Sequence, residues 1–172
     1  MRVVALGDAA GTLYDPAGLD VPALLATRDR SRAIDRSAVP ARVQRLDRER
    51  VLGMDVDILV PAAISYAITA ANCAEVTAPI VVEAANAATT ADAELDLTGR
   101  GIAVLPDFVA NAGAVAWAWW LILGEVDDQP ESSFLRLGRE MTAKVADLLT
   151  DWDPVSGPLR WAADVSDTIR MV

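Results

Sequence analysis

The 172-residue chain contains no histidine. Imidazole general bases, Ser-His triads and most zinc sites are thereby excluded. It has one cysteine, Cys73, so neither an intrachain disulfide nor a cysteine metal cluster can form. Lysine is almost missing: Lys144 stands alone and the other bases are arginine. Positive charge is in deficit, with 15 bases against 25 acids and a net charge of −10. That balance argues against nucleic acid and anionic membranes as partners. It leaves room for an anionic cofactor, because backbone amides and helix N-termini bind phosphate locally. The longest apolar run, fifteen residues from Val109 to Leu123, is shorter than a membrane span and carries Asn111 and Gly113. It reads as a buried helix. The opening Met1-Arg2-Val3-Val4-Ala5-Leu6 is too short and too soon acidic for a secretory signal, so a cytoplasmic location is expected. Aromatics are 5% of residues although 53% are hydrophobic. The apolar content is therefore mostly alanine and branched aliphatics, enough for one domain with a sizeable core.

What is present concentrates between Asp57 and Val115. Three short apolar runs each end in a small-residue motif. Asp57–Val60 ends in Pro61-Ala62-Ala63. Ile80-Val81-Val82 ends in Glu83-Ala84-Ala85-Asn86. Ile102–Leu105 ends in Pro106-Asp107, with Asn111-Ala112-Gly113 beyond. Short β-branched runs without alternation are the signature of buried parallel strands. Ligands of open α/β sheets bind outside the carboxyl ends of such strands. Small residues there let a flat ligand approach the backbone, and an asparagine amide offers both donors and acceptors. The pattern describes a nucleotide-binding crevice.

The remaining elements follow from local signals. Arg2–Leu6 reads as a strand followed by a turn at Gly7–Gly11. Asp20 caps a helix over Val21–Thr27, with Pro22 in its first turn. Arg42–Leu46 reads as a short strand, Asp57–Val60 and Pro79–Glu83 as parallel strands, and Thr69–Glu75 as a helix. Thr90 caps a helix stopped by Gly99 and Gly101. Ile102–Leu105 is a strand and Ala112–Leu123 an apolar helix. Pro130 opens a helix with Leu135, Met141, Val145, Leu148, Leu149 and Trp152 at helical spacing. Gly157-Pro158 ends it, and a last helix spans about Leu159–Ile169. Alternating strands and helices imply an α/β fold, a doubly wound, mostly parallel Rossmann-like sheet with a helical C-terminal tail. The Gly-x-Gly-x-x-Gly turn and first strand that open such folds are missing from the chain. Residues 1–172 are read as a single partial NAD(P)-binding domain, with 125–172 as its helical extension.

The ordered motifs resemble the C-terminal portion of the glutamate/leucine/phenylalanine/valine dehydrogenase family. Asp57–Ala63 is similar to its strand-plus-Pro-Ala-Ala segment. Glu83–Thr90 is similar to its Glu-Gly-Ala-Asn-x-Pro-Thr-Thr segment. Leu105–Val115 is similar to its Pro-Asp-x-x-x-Asn-Ala-Gly-Gly-Val segment, and the stretch after Arg2 up to Asp20 is similar to its second strand and following loop. Three substitutions mark the chain: Ala84 for glycine, Ala88 for proline and Ala114 for the second glycine.

The resemblance implies reversible oxidative deamination of an L-amino acid to a 2-oxo acid with NAD(P). Substrate-binding lysines, a catalytic lysine and a catalytic aspartate belong to a separate substrate domain, so no catalytic residue and no metal ligand is expected here. Cofactor-binding residues implied are Asp8, Pro61, Ala62, Ala63, Asn86 and Asn111. Asp8 meets the adenosine ribose and favours NAD over NADP. Ala118, seven residues after Asn111, stands where glutamate enzymes carry a serine that reaches the substrate carboxylate. Its methyl group implies an apolar amino acid, while Pro61-Ala62-Ala63 resembles the glutamate branch. The implied partners are the dinucleotide, a small amino acid, and either copies of this chain in a homo-oligomer or an N-terminal substrate domain. The alternative is a non-catalytic, truncated or interaction module that keeps the fold.

Simpler roles compete with these. Asn86 and Asn111 can cap helices, and Asp8 can be a solvated turn residue. Trp117, Trp119 and Trp120 read as helix packing. Cys73 reads as a core residue, Glu83 as structural, and Arg28, Arg30, Arg32 and Arg36 as a solvated face.

Overall fold

The chain folds as two compact units, one from Met1–Asp57 with Glu75–Ala78, the other from Ile58–Ala74 with the chain from Pro79 onward. The computed structural model describes residues 1–28, 33–127 and 129–152.

In the first unit, β1 (Ala5–Asp8), β2 (Gly11–Tyr14) and β3 (Gln44–Leu46) form an antiparallel sheet in that order. This corrects the expectation of a parallel strand at Arg2–Leu6. The strand starts later and turns back on itself at Ala9-Ala10, with Asp8 opposite Gly11. The preceding residues are tied to a loop instead: Val4 and Val3 carbonyls accept from Asp15 and Leu19 N–H at 2.9 and 2.8 Å. Helix α1 (Val21–Ala26) starts where Asp20 accepts the Ala23 N–H at 3.0 Å, as capping chemistry requires. Leu13, Leu24, Ile34, Val39 and Val43 form the buried core, with Leu6 and Leu19 against it. Buried Asp15 ties the sheet to its surroundings by accepting Ala17 N–H and Arg42 Nε–H at 2.9 and 3.0 Å.

The second unit bears out the α/β class with a parallel sheet and a helical C-terminal part. Strands β4 (Ile58–Leu59), β5 (Ile80–Val82) and β6 (Ala103–Leu105) pair in parallel in that order. Helix α2 (Ala91–Gly99) connects β5 to β6 and buries Ala93 and Leu97. The Thr90 hydroxyl donates to Asp92, and that bond with the Ala93 N–H holds the Asp92 carboxyl below its ordinary pKa. Val81, Val104, Leu59 and Ile68 complete the core. Parallel order places the carboxyl ends of all three strands on one edge, which is what makes a shared site possible.

Thr69–Glu75 is not a helix. The Asn72 side chain accepts the Thr69 N–H at 2.7 Å and donates to the Ala67 carbonyl at 3.0 Å, and the stretch carries only a 3-10 turn at Cys73–Glu75. Cys73 is buried, and burial first, then Asp96, pushes its thiol pKa up.

Beyond β6 the chain forms α3 (Asp107–Ala110), α4 (Ala112–Ile122) and α5 (Pro130–Asp151). Gly113 lets α4 approach α5: a Cβ there would stand 3.2 Å from Leu137 Cδ2. Trp117 donates to Ser133 Oγ at 2.9 Å, and the Arg136 guanidinium lies 4.2 Å from the Trp120 ring centroid. The expectation of a buried helix fails, since no α4 residue is buried. An apolar helix needs partners on several sides, and α5 covers one. Val115, Trp119 and Ile122 stay exposed. No helix of the described residues is long and apolar enough to cross a membrane. Gly157-Pro158, the helix expected at Leu159–Ile169, Arg30 and Arg32 lie outside the described residues.

Candidate functional site

The carboxyl edge of β4, β5 and β6 is stitched together by backbone bonds before any side chain is considered. The Pro61 carbonyl accepts from Ala84 and Ala85 N–H at 3.1 and 2.9 Å, and Leu105 accepts from Glu83 N–H at 3.1 Å. Pro61 is buried, while Ala62, Ala63 and Ala84 are exposed along the edge. Small residues thus leave backbone accessible there.

Two carboxylates hold the loops beyond the strands. Glu83 is fully buried and accepts Thr89 N–H at 2.6 Å and Asp107 N–H at 3.0 Å. This is the structural role, a buried carboxylate whose negative charge is met by backbone donors. Asp107 accepts Ala87 N–H at 2.7 Å and Phe108 N–H at 2.9 Å. Ala87 sits at φ 47°, in the left-handed region. That conformation costs an alanine about 1 kcal/mol and persists only when neighbours fix it. The Ala87 carbonyl also accepts Tyr66 N–H at 2.8 Å, and Tyr66 itself has φ 57°. A parallel bridge between Ile68 and Thr89 continues the clamp.

The outcome is a fixed amide pair. Asn111, between α3 and α4, donates from Nδ2 to Asn86 Oδ1 at 2.7 Å and to the Ala84 carbonyl at 3.4 Å. A carbonyl can only accept, so the orientation of the Asn111 amide is defined, and that of Asn86 follows. Asn86 Nδ2 remains to donate and Asn111 Oδ1 to accept. The pair therefore presents one donor and one acceptor side by side, suited to a carboxamide or to hydroxyls. Asn86 is exposed and Asn111 half-buried. Among the described residues no group of acids and cysteine could hold a metal.

Of the residues expected from sequence, Pro61, Ala62, Ala63, Asn86 and Asn111 share this edge. Ala118 lies on the exposed surface of α4, about two turns beyond Asn111. Asp8 belongs to the first unit, at the end of β1. It is not a solvated turn residue: it pairs with Arg36, whose other bond goes to the Gly11 carbonyl at 3.2 Å. Both side chains are about three-quarters buried, at 25% and 24% exposed. Asp8 Oδ1 also accepts Ala10 N–H at 2.8 Å, while Oδ2 has no hydrogen-bond partner among the described residues. Arg36 therefore leaves the solvated face to which its neighbours were assigned. Sequence reasoning did not single out Asp107 or Tyr66. The Pro-Asp signal marked a strand end, but the bonds that matter join residues twenty positions apart.

A family model described as Glutamate/Leucine/Phenylalanine/Valine dehydrogenase matches residues 1–153. The chain is 44% identical over 119 residues to the catabolic NAD-specific glutamate dehydrogenase of Bacillus subtilis, covering 69% of this chain and 27% of that protein. It is 42% identical over 118 residues to the NADP-specific glutamate dehydrogenase A1 of Halobacterium salinarum, covering 69% and 28%. The chain thus spans less than a third of those relatives. Among solved structures, the hetero-hexameric glutamate dehydrogenase of Thermus thermophilus in its Leu-bound form superposes with a TM-score of 0.75 at 29% identity, covering 95% of this chain and 38% of that one. Plasmodium falciparum glutamate dehydrogenase 2 shares the fold with a TM-score of 0.79 at 18% identity, covering 95% and 39%.

Proposed function

The chain belongs to the Glutamate/Leucine/Phenylalanine/Valine dehydrogenase family, and from that premise we propose that it is the C-terminal, nucleotide-binding portion of an NAD(P)-dependent amino-acid dehydrogenase of the glutamate type. The observation that carries this reading is the Asn86–Asn111 amide pair at the carboxyl edge of the parallel sheet. On this reading residues 1–172 act as one partial NAD(P)-binding domain with 125–172 as its helical extension. It works in the cytoplasm with a substrate domain or in a homo-oligomer. The edge offers amides and small side chains; its two carboxylates are committed to backbone N–H groups. General acid-base chemistry is then the task of another domain, and these 172 residues alone turn over no substrate.

The cofactor on this reading is NAD, in line with the NAD-specific Bacillus relative. Asp8 lies at the end of β1, and on this reading its charge repels a 2′-phosphate. Arg36 against the same carboxylate offsets part of that repulsion, so the discrimination is modest. Without a glycine-rich turn the main pyrophosphate site is missing. Calorimetric titration of the purified chain is expected to give a dissociation constant of ~0.1–1 mM for NAD⁺, about −5.5 to −4 kcal/mol, with NADP⁺ weaker. Asp8→Ser is expected to erase the difference. Tighter binding of NADP⁺ by the wild-type chain would remove Asp8 from the site, as would a preference that Asp8→Ser leaves intact. Amino-acid-dependent NADH production by the chain alone, at rates typical of enzymes, would overturn its proposed inactivity.

The substrate reading rests on Ala118. A methyl group cannot pair with a side-chain carboxylate, and an unpaired buried charge is strongly unfavourable. A full-length enzyme carrying this domain is expected to prefer an apolar amino acid, measured as kcat/KM for leucine, valine and phenylalanine against glutamate, or else to recognise glutamate wholly through its substrate domain. Ala118→Ser is expected to shift that ratio toward glutamate by about tenfold, the order of one charge-assisted hydrogen bond. A glutamate preference that this change leaves untouched would show that position 118 does not read the side chain.

The exposed apolar stripe of Val115, Trp119 and Ile122 favours a second reading, a non-catalytic interaction module. Light scattering that shows a monodisperse monomer would remove it.

A further inference from the structure

We propose that Asp107 is a positioning residue that sets the separation and orientation of the Asn86 and Asn111 amides. It deepens the nucleotide-binding reading and rests on it for the identity of the ligand, though not for the positioning itself. One residue reaches both asparagines through the backbone. Its carboxylate accepts the N–H of Ala87, directly after Asn86, at 2.7 Å. Its carbonyl accepts the N–H of Asn111 at 2.8 Å. Its own N–H is anchored on the buried Glu83 carboxylate at 3.0 Å.

Each bond has a consequence for the amide pair. The Ala87 backbone is left-handed, at φ 47°. A non-glycine residue adopts that conformation when its surroundings over-determine it, and here the Asp107 oxygen meets its N–H while its carbonyl is held by Tyr66 N–H. Losing the carboxylate frees the turn to relax to an ordinary conformation, which re-aims the Asn86 side chain one residue earlier. The carbonyl bond closes the short α3 helix under Asn111, so the Asn111 amide starts from a backbone anchored on the same residue. The 2.7 Å contact between the two amides is therefore set by Asp107 through the backbone of Ala87 and Asn111. It acts through them and needs no contact with ligand.

The test uses the 172-residue chain, NAD⁺ as the probe, and two readouts. The first is the side-chain amide resonances of Asn86 and Asn111 without ligand. Asp107→Ala is expected to shift both pairs, and Asp107→Asn, which keeps an oxygen able to accept from Ala87, is expected to leave them near their wild-type positions. The second readout is the NAD⁺ dissociation constant. Asp107→Ala is expected to weaken binding about tenfold and Asp107→Asn by no more than about threefold, the scale of one lost hydrogen bond. Asn86→Ala alone is expected to cost about tenfold, and the double variant Asp107→Ala/Asn86→Ala no more than either single, because both remove the same positioned group. A purely structural role would give additive losses of about a hundredfold in the double variant and would overturn the proposal. So would unshifted amide resonances in Asp107→Ala. Should the alanine variant not fold, the smaller loss of Asp107→Asn must vanish on the Asn86→Ala background. If the wild-type chain binds no NAD⁺ while Asp107→Ala still shifts both amides, the nucleotide reading fails and the positioning stands.

Discussion

Replacing Glu83 by alanine is expected to lower the melting temperature by about 10–20 °C. Hydrogen bonds to a charged group contribute roughly 1.5–3 kcal/mol each, and a domain of this size loses about 2–4 °C per kcal/mol. Glu83 makes two such bonds from a fully buried position, to Thr89 N–H at 2.6 Å and Asp107 N–H at 3.0 Å. Alanine leaves both donors inside the protein with no acceptor from that side chain. Glu83→Gln keeps one acceptor oxygen and turns an NH₂ toward the other donor, so about half the loss is expected. Thermal denaturation followed by circular dichroism measures it. A melting temperature for Glu83→Ala within a few degrees of wild type would contradict the clamp.

Gly11→Ala should destabilise the first unit nearly as strongly. Gly11 sits at φ +130°, where L side chains rarely go, and a Cβ there would stand 2.7 Å from the Leu46 carbonyl oxygen. The obstacle is backbone, so β2 and β3 must separate or shift register. Strain of this kind is worth roughly 1–3 kcal/mol before the clash is added, so a total of about 2–4 kcal/mol is expected. The Gly11 carbonyl also accepts from Arg36, and displacing it disturbs the Asp8 ion pair. The expected signature is faster hydrogen exchange across β1, β2 and β3. Gly138→Ala is the matched control: it lies in α5 with nothing within 4 Å of the added methyl, and alanine there should stabilise by about 0.5–1 kcal/mol. Equal stability for Gly11→Ala and wild type would mean that the hairpin is not closed as described.

The parallel sheet was legible because its signal is local. Ile58-Leu59, Ile80–Val82 and Ala103–Leu105 lie in short apolar runs that stop at proline or Glu83, the pattern expected of parallel strands, although only Leu59, Val81 and Val104 are buried while Ile58 and Ile80 stay exposed. The juxtaposition of Asn86 with Asn111 was legible for the same reason, since parallel strands send their ends to one edge.

The hairpin was not legible. Its tip, Ala9-Ala10, lacks the Asn-Gly or Asp-Gly chemistry that marks two-residue turns, and Gly7 and Gly11 read as loop. The Thr69–Glu75 stretch is rich in alanine and reads as helix, yet only a 3-10 turn at Cys73–Glu75 forms. Helix α4 has apolar residues on every side, and sequence cannot say how many sides this chain covers. Asp107 reads only as a strand end and Arg36 only as part of a solvated face because their partners are twenty-odd residues away, at Ala87 and Asp8. Such bonds follow from the fold and leave no spacing in the sequence.

The central claim is that the amide pair at the carboxyl edge receives a nicotinamide dinucleotide, and amide-resolved NMR titration of the chain with NAD⁺ addresses it directly. The account predicts saturable shifts of the Asn86 and Asn111 side-chain amides and of the Ala84 and Ala85 backbone amides. Shifts that spare Asn86 and Asn111, whether because nothing binds or because NAD⁺ binds elsewhere, would contradict it.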